Sequence, residues 1–289
     1  MRLEDNCWLG TGYLKFSDFV KFAKLNPKIK EIELSNAGEM FLNPDLENII
    51  KYAFDNGIKL TAWNGVNLNS ASDNILESLV RYKFDGFTVS IDGWNQESYV
   101  QYRSNGNFDK VIENIRKLNA LKERYSSEFP RMMWKYIIFE HNDNLDGAQK
   151  AKDLAQELGM GFKFERSWGG YIPKFIIEDD KKQTDVFSAY DTLCAQLWMA
   201  PQINWDGKFL GCCANHYPEF GDENLFNVSL AEFMNRETVK NTKLMLTGKL
   251  KGNSPRNTYC ERCRYYQDML KSGNFLSEKE LRNGVRKVV

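Results

Sequence analysis

One unit recurs between residues 29 and 166: an apolar or alternating run, a turn rich in Asn, Asp and Gly, then an amphipathic helical stretch. Residues 29–35, 58–63, 86–91, 132–139 and 161–166 read as strands by their alternation and their β-branched and aromatic content. Residues 45–56, 72–83, 108–124 and 145–158 read as the helices between them, two of them closing on Gly57 and Gly159. An earlier helix carries Phe19, Val20, Phe22 and Ala23, with Ser17 as its expected cap. Strands that alternate with helices must pair in parallel through right-handed crossovers, which makes this an α/β chain. Ligands in such folds gather where the strands end, because the strand-to-helix loops converge there. The clusters Asn36-Ala37-Gly38-Glu39, Asn64-Gly65, Asp92-Gly93 and Glu140-His141-Asn142-Asp143 all fall at that edge.

Past about residue 170 the repeat stops and cysteine takes over. Five of the six cysteines lie at positions 194, 212, 213, 260 and 263, the last two as Cys260-Glu261-Arg262-Cys263. A Cys-x-x-Cys pair joined by two distant cysteines is metal-site arithmetic. Four thiolates suit an iron-sulfur cluster or a structural zinc equally by spacing, and a third reading makes Cys194, Cys212 and Cys213 ordinary small buried residues. The turn Asp206-Gly207 precedes Cys212 and suits a hairpin that aims it.

Composition narrows the partners. Lys plus Arg and Asp plus Glu are both 39, so there is no basic footprint for nucleic acid or an anionic membrane. No apolar run approaches a membrane span, and the first residues begin no signal peptide, so a cytoplasmic protein is expected. Six cysteines, four at ligand spacing, suit a reducing compartment better than a disulfide scaffold. His141 and His216, the only histidines, read as satisfied polar residues rather than catalysts.

Several segments match one family in order along nearly the whole chain. They are Glu33-Leu34-Ser35-Asn36-Ala37-Gly38-Glu39-Met40 with Asn43-Pro44-Asp45-Leu46; Trp63-Asn64-Gly65; Val89-Ser90-Ile91-Asp92-Gly93 with Tyr99, Arg103 and Gly106-Asn107-Phe108; and Asp206-Gly207, Cys212-Cys213 and the closing Cys260 and Cys263. Together they resemble the radical S-adenosylmethionine (radical SAM) family, in particular members with a C-terminal SPASM or twitch-type auxiliary cluster domain. The resemblance implies a partial (β/α) barrel of parallel strands over residues 1–170 and a smaller iron-sulfur domain over residues 171–289. It implies that Gly38 and Glu39 receive the methionine ammonium of S-adenosylmethionine, with Asn64 beside them. Ser90 would face the ribose or the methionine carboxylate, and Arg103 would pair with that carboxylate. It makes Cys194, Cys212, Cys260 and Cys263 the ligands of a single auxiliary [4Fe-4S] cluster, with Cys213 the neighbour of a ligand.

The N-terminus departs from the family pattern. The family holds its catalytic cluster with Cys-x3-Cys-x2-Cys after the first barrel strand; here Cys7 matches the third cysteine, Glu4 stands at the second, and the first would precede Met1. The first strand is expected to be missing, which leaves residues 29–35 at an open sheet edge to be covered by residues 1–12, by a reductase or other partner chain, or by upstream sequence absent from a shortened form. Three functional readings follow. The first is a radical SAM-type enzyme or its remnant, whose family chemistry is reductive cleavage of S-adenosylmethionine and hydrogen abstraction from a small-molecule or peptide substrate. The second is a non-catalytic iron-sulfur protein that has lost the catalytic cluster, and the third a zinc-stapled α/β binding module.

Overall fold

The computed structural model describes residues 9–167, 171, 173–174, 193–217, 219–250, 258–277, 279 and 281. Glu4 and Cys7 lie outside them. The chain divides into two compact units, one spanning Lys28–Ile177 and the other joining residues 9–27 to the described residues from 193 onward.

The first unit is a five-stranded sheet in the order β1-β2-β3-β4-β5, every neighbouring pair parallel. The strands are β1 (Glu31–Glu33), β2 (Lys59–Val66), β3 (Gly86–Ser90), β4 (Arg131–Ile138) and β5 (Gly161–Arg166). With α1 (Phe16–Leu25) assigned to the other unit, the sheet's helices are α2 (Leu46–Asp55), α3 (Asp73–Arg81), α4 (Gln96–Tyr102), α5 (Phe108–Arg124) and α6 (Leu145–Glu157). The parallel α/β sheet expected from the alternation is present, and among the described residues β1 forms one of its edges.

Side chains alternate across a strand, so the register sorts this sheet into two faces. Leu60, Ala62, Phe87, Val89, Trp134 and Tyr136 share one face and are all buried. That face packs on the helical layer, where the Trp134 ring meets Phe108 of α5 edge-on at 6.3 Å. Each such side chain contributes about 1.5–3 kcal/mol by leaving water. The opposite face carries the polar residues Glu33, Thr61, Thr88, Ser90, Lys135, Lys163 and Glu165, interrupted by Trp63, Met133 and Ile137.

Three local expectations need correction. Ser17 lies inside α1, whose N-cap is Lys15. The first strand runs over three residues rather than seven, because only Glu31, Ile32 and Glu33 find ladder partners on β2. Residues 96–102 form a helix that no apolar periodicity announced; Asn95 and Ser98 build it through a reciprocal capping box.

In the second unit Phe209, Phe220, Leu225, Phe233, Val239 and Met269 form the core. The Asp206-Gly207 hairpin is present: Ile203 bridges Phe209 in antiparallel fashion, and the Asn204 amide donates to the Lys208 carbonyl at 2.8 Å. Gly207 has a φ of 86°, and a side chain there would collide with the Asn224 amide that closes the turn. The arm before α1 is tied to this hairpin, since the Leu9 carbonyl accepts from both Asn204 Nδ2 (2.9 Å) and Trp205 Nε1 (2.8 Å). Among the described residues no helix is long and apolar enough to cross a membrane.

Candidate cofactor sites

The ends of β1 and β2 are stitched together by one carboxylate to which the sequence assigned no role. Glu33 Oε2 accepts from Thr61 Oγ1 (2.8 Å) and the Trp63 amide (2.9 Å), while Oε1 accepts from the Ser35 amide (3.2 Å) and hydroxyl. Its signal was available in hindsight: an acid on the inward face of an edge strand must find donors on the next strand. Between Ala62 and Val66 the β2–β3 register shifts, and that bulge turns Asn64 and Gly65 out of the ladder. Asn64 then donates through Nδ2 to the Ser35 carbonyl (2.7 Å) and offers its own carbonyl to Lys135 Nζ (2.5 Å).

Gly38 sits at φ 91° with open space where a side chain would be. It presents Glu39, whose carboxylate is fixed by two backbone donors, Phe41 N to Oε1 (3.1 Å) and Asn67 N to Oε2 (2.6 Å). Burial pushes the Glu39 carboxyl above its usual value, against those bonds and the positive field of Arg103. Ionised, it is an oriented and partly desolvated anion with lone pairs left over, which is what an ammonium needs. Ser90 is buried at the end of β3, and its hydroxyl lies against Gly65, where an added Cβ would stand 2.3 Å from Oγ.

Arg103 is placed differently. Its Nε and Nη2 both bind Asp92 Oδ2, at 3.1 and 2.6 Å, so its charge is already matched by a carboxylate inside the protein. Asp92 is fully buried at φ 58°, and its other oxygen accepts from the Ile137 amide. The structure therefore brings Glu39, Asn64 and Ser90 to the strand ends, with Asn64 engaged by the Ser35 carbonyl and Lys135, and gives Arg103 an internal partner. Lys135, absent from the sequence-based set, stands among them. His141 stacks on Phe139 with ring centroids 5.4 Å apart.

In the second unit all five described cysteines, Cys194, Cys212, Cys213, Cys260 and Cys263, line a single cavity of about 190 Å³ with Leu197, Leu246 and Tyr266. The Asp206-Gly207 hairpin delivers Cys212 and the Tyr259–Arg262 turn delivers Cys260. Burial raises the thiols of Cys194, Cys212 and Cys260, that of Cys212 to about 11, and the other cysteines add repulsion. Amides of Ala214 and Asn215 pull Cys212 the other way. Such a set stays protonated unless a cationic centre supplies the compensating charge. Among the described residues no three of His, Cys, Asp and Glu are placed to hold a single ion, although the cysteines surround one space.

Comparison with known proteins agrees with this division. Residues 194–264 match the SPASM iron-sulfur cluster-binding domain. The chain shares its fold with Streptococcus suis SuiB at 12% identity, with a TM-score of 0.57 over 78% of this chain and 60% of that one. SuiB solved with its precursor peptide SuiA aligns at 13% identity and TM-score 0.59, over 91% of this chain and 67% of that one. anSMEcpe with bound AdoMet aligns at 13% identity and TM-score 0.52, over 93% of this chain and 88% of that one. No curated protein sequence matches the chain. The cluster-binding domain expected at the C-terminal end is borne out over residues 194–264, and the parallel α/β fold is one this chain shares with SuiB and anSMEcpe. The chain spans about 60% of the length of the SuiB structure it matches first.

Proposed function

We propose that this chain binds S-adenosylmethionine across the ends of β1, β2 and β3 and holds one auxiliary [4Fe-4S] cluster on Cys194, Cys212, Cys260 and Cys263, as a radical SAM-type protein. The observation that carries the reading is Glu39, a desolvated carboxylate locked by two backbone amides behind the open turn at Gly38. Glu39 receives the ammonium, and Asn64 and Ser90 contact the polar groups beside it. S-adenosylmethionine held there by Glu39, Asn64 and Ser90 would supply radical chemistry, its C–S bond breaking with release of methionine when an external reductant gives it one electron, while the protein's part is binding, orientation and exclusion of water. The match of residues 194–264 to an iron-sulfur cluster-binding domain, over the same cysteines that line the cavity, supports iron-sulfur over zinc. The likeness to SuiB, solved with a precursor peptide, favours a peptide as substrate class.

A second reading, a non-catalytic iron-sulfur protein, is favoured by Glu4 at the second position of the catalytic-cluster motif, since a carboxylate is a harder donor than a thiolate. Two measurements test these readings. Titration calorimetry of the anaerobically reconstituted chain is expected to show S-adenosylmethionine binding that Glu39→Ala weakens about tenfold or more; binding indifferent to both Glu39→Ala and Ser90→Ala overturns the placement. Release of 5'-deoxyadenosine under dithionite, above a no-enzyme control, overturns the non-catalytic reading.

A further inference from the structure

The turn Cys260-Glu261-Arg262-Cys263 carries a cation between two of the proposed ligands, and that cation has a defined partner. Arg262 Nη2 donates to Glu219 Oε1, 43 positions earlier in the chain. The next residue anchors Glu219: Phe220 is buried in the core of this unit and meets Phe209 edge-on with ring centroids 5.3 Å apart. The Arg262 guanidinium also lies over the ring of Tyr259, 5.7 Å from its centroid, and Tyr259 lines the cysteine cavity. The ion pair thus ties the turn that delivers Cys260 to the Glu219 segment.

The two charges of the pair do not meet water equally. The Glu219 side chain is 18% exposed and the Arg262 side chain 58%. Glu219 Oε2 is buried, and among the described residues nothing donates a hydrogen bond to it. Solvent screens the guanidinium more than the carboxylate, so the pair presents a net negative field to the cavity. Cys260 feels that field, since Glu219 is among the charges that push its thiol up. An electron added to a cluster on Cys260 and Cys263 is a further negative charge beside the same carboxylate, and charge around a cluster is one of the levers that set its potential.

We propose that Glu219 lowers the reduction potential of the auxiliary cluster, that Arg262 offsets part of that effect, and that the pair as a whole favours the oxidised cluster. The inference rests on the reading that Cys194, Cys212, Cys260 and Cys263 hold a [4Fe-4S] cluster. Neither Glu219 nor Arg262 is a ligand in this assignment; both act on the cluster through their charge.

The test is a redox titration of the anaerobically reconstituted full chain with dithionite, read by the electron paramagnetic resonance of the one-electron-reduced cluster, on wild type, Glu219→Gln, Arg262→Gln and the double variant. Iron and sulfide analysis confirms that each is loaded. Glu219→Gln is expected to raise the midpoint potential and Arg262→Gln to lower it. The double variant is expected to lie above wild type, because the less screened of the two charges has gone. Shifts of opposite sign are a readout that loosened packing would not give. If Glu219→Gln does not load, the exposed Arg262→Gln decides alone: a lowered potential supports the assignment, and an unchanged or raised one overturns it. Shifts of the same sign, no shift in either single variant, or a double variant at or below the wild-type potential overturn the assignment and leave the cluster reading in place. Wild-type protein that holds no iron after reconstitution overturns the cluster reading itself, and the inference with it.

Discussion

Asp92 and Arg103 form an ion pair in which the carboxylate is fully buried and the guanidinium grips one of its oxygens through Nε at 3.1 Å and Nη2 at 2.6 Å. The pair joins the end of β3 to the residue that closes α4, and Asn142 adds a bond to the Asp92 carbonyl at 2.9 Å. A buried carboxylate held this way shapes the loop it sits in, and Arg103 is its counter-charge.

Removing that counter-charge has a pH-dependent consequence. Burial already raises the Asp92 carboxyl, and Arg103 is the main influence pulling it down. Arg103→Met is expected to cost about 3 kcal/mol at neutral pH, where it strands a buried anion. With the folded-state pKa raised further above the unfolded value, the folded protein binds more protons than the unfolded chain, so the cost grows as pH rises and shrinks as pH falls toward 4. Urea unfolding at pH 4.5 and pH 7.5 measures it; a penalty independent of pH would show that Asp92 is not the group left uncompensated.

Gly65 makes a second prediction. Its φ is 129°, and a Cβ would meet Ser90 Oγ and Lys135 Nζ well inside van der Waals distance. Gly65→Ala is expected to destabilise the protein by about 1–3 kcal/mol through crowding and backbone strain. The smaller Ser90→Ala, which removes one of the two atoms in the way, should recover part of that loss in the double variant. Chemical denaturation of the two single variants and the double variant decides it, and strict additivity would place Ser90 away from Gly65.

Much of this was legible because hydrophobic period reports secondary structure directly. Helices expected at 45–56 and 108–124 are found at Leu46–Asp55 and Phe108–Arg124, and their apolar faces lie where the spacing put them. Gly38-Glu39 and the Cys260-x-x-Cys263 pair were legible as motifs because each depends on short local spacing, and Cys194 and Cys212 joined that pair through cysteine's concentration in one segment. Lys135 was not. Within Met132-Met133-Trp134-Lys135-Tyr136-Ile137 it reads as one polar interruption of a strand, and its pairing with Ser90 exists only once β3 and β4 are in register. The pairing of Arg103 was hidden for the converse reason: Asp92 lies 11 positions back, at a left-handed residue whose orientation no pattern encodes.

The N-terminal arm offers a third test. Asn204 Nδ2 and Trp205 Nε1 converge on the Leu9 carbonyl, so either donor alone can satisfy it. Asn204→Ala and Trp205→Phe are each expected to cost about 1 kcal/mol. The double variant should cost more than their sum, because only then does the carbonyl lose every donor. A thermal-unfolding double-mutant cycle with no coupling would show that the two contacts act independently.

The cysteine cavity gives the last prediction. Cys212 is half-buried and takes bonds from the Ala214 and Asn215 amides, whereas Cys213 is exposed although it lines the same space. Anaerobically reconstituted protein is expected to be brown and to hold about four irons with matching sulfide. Alanine at Cys194, Cys212, Cys260 or Cys263 should abolish the colour, because removing one thiolate leaves an iron open in a cavity whose other walls are mostly leucine, alanine and tyrosine. Cys213→Ala should retain most of the iron, since consecutive residues leave the backbone in different directions and Cys212 already occupies the inward one. Iron and sulfide analysis of the five variants checks this. Equal loss at Cys212 and Cys213 would remove the basis for choosing between them, and stoichiometric zinc in place of iron would overturn the cluster.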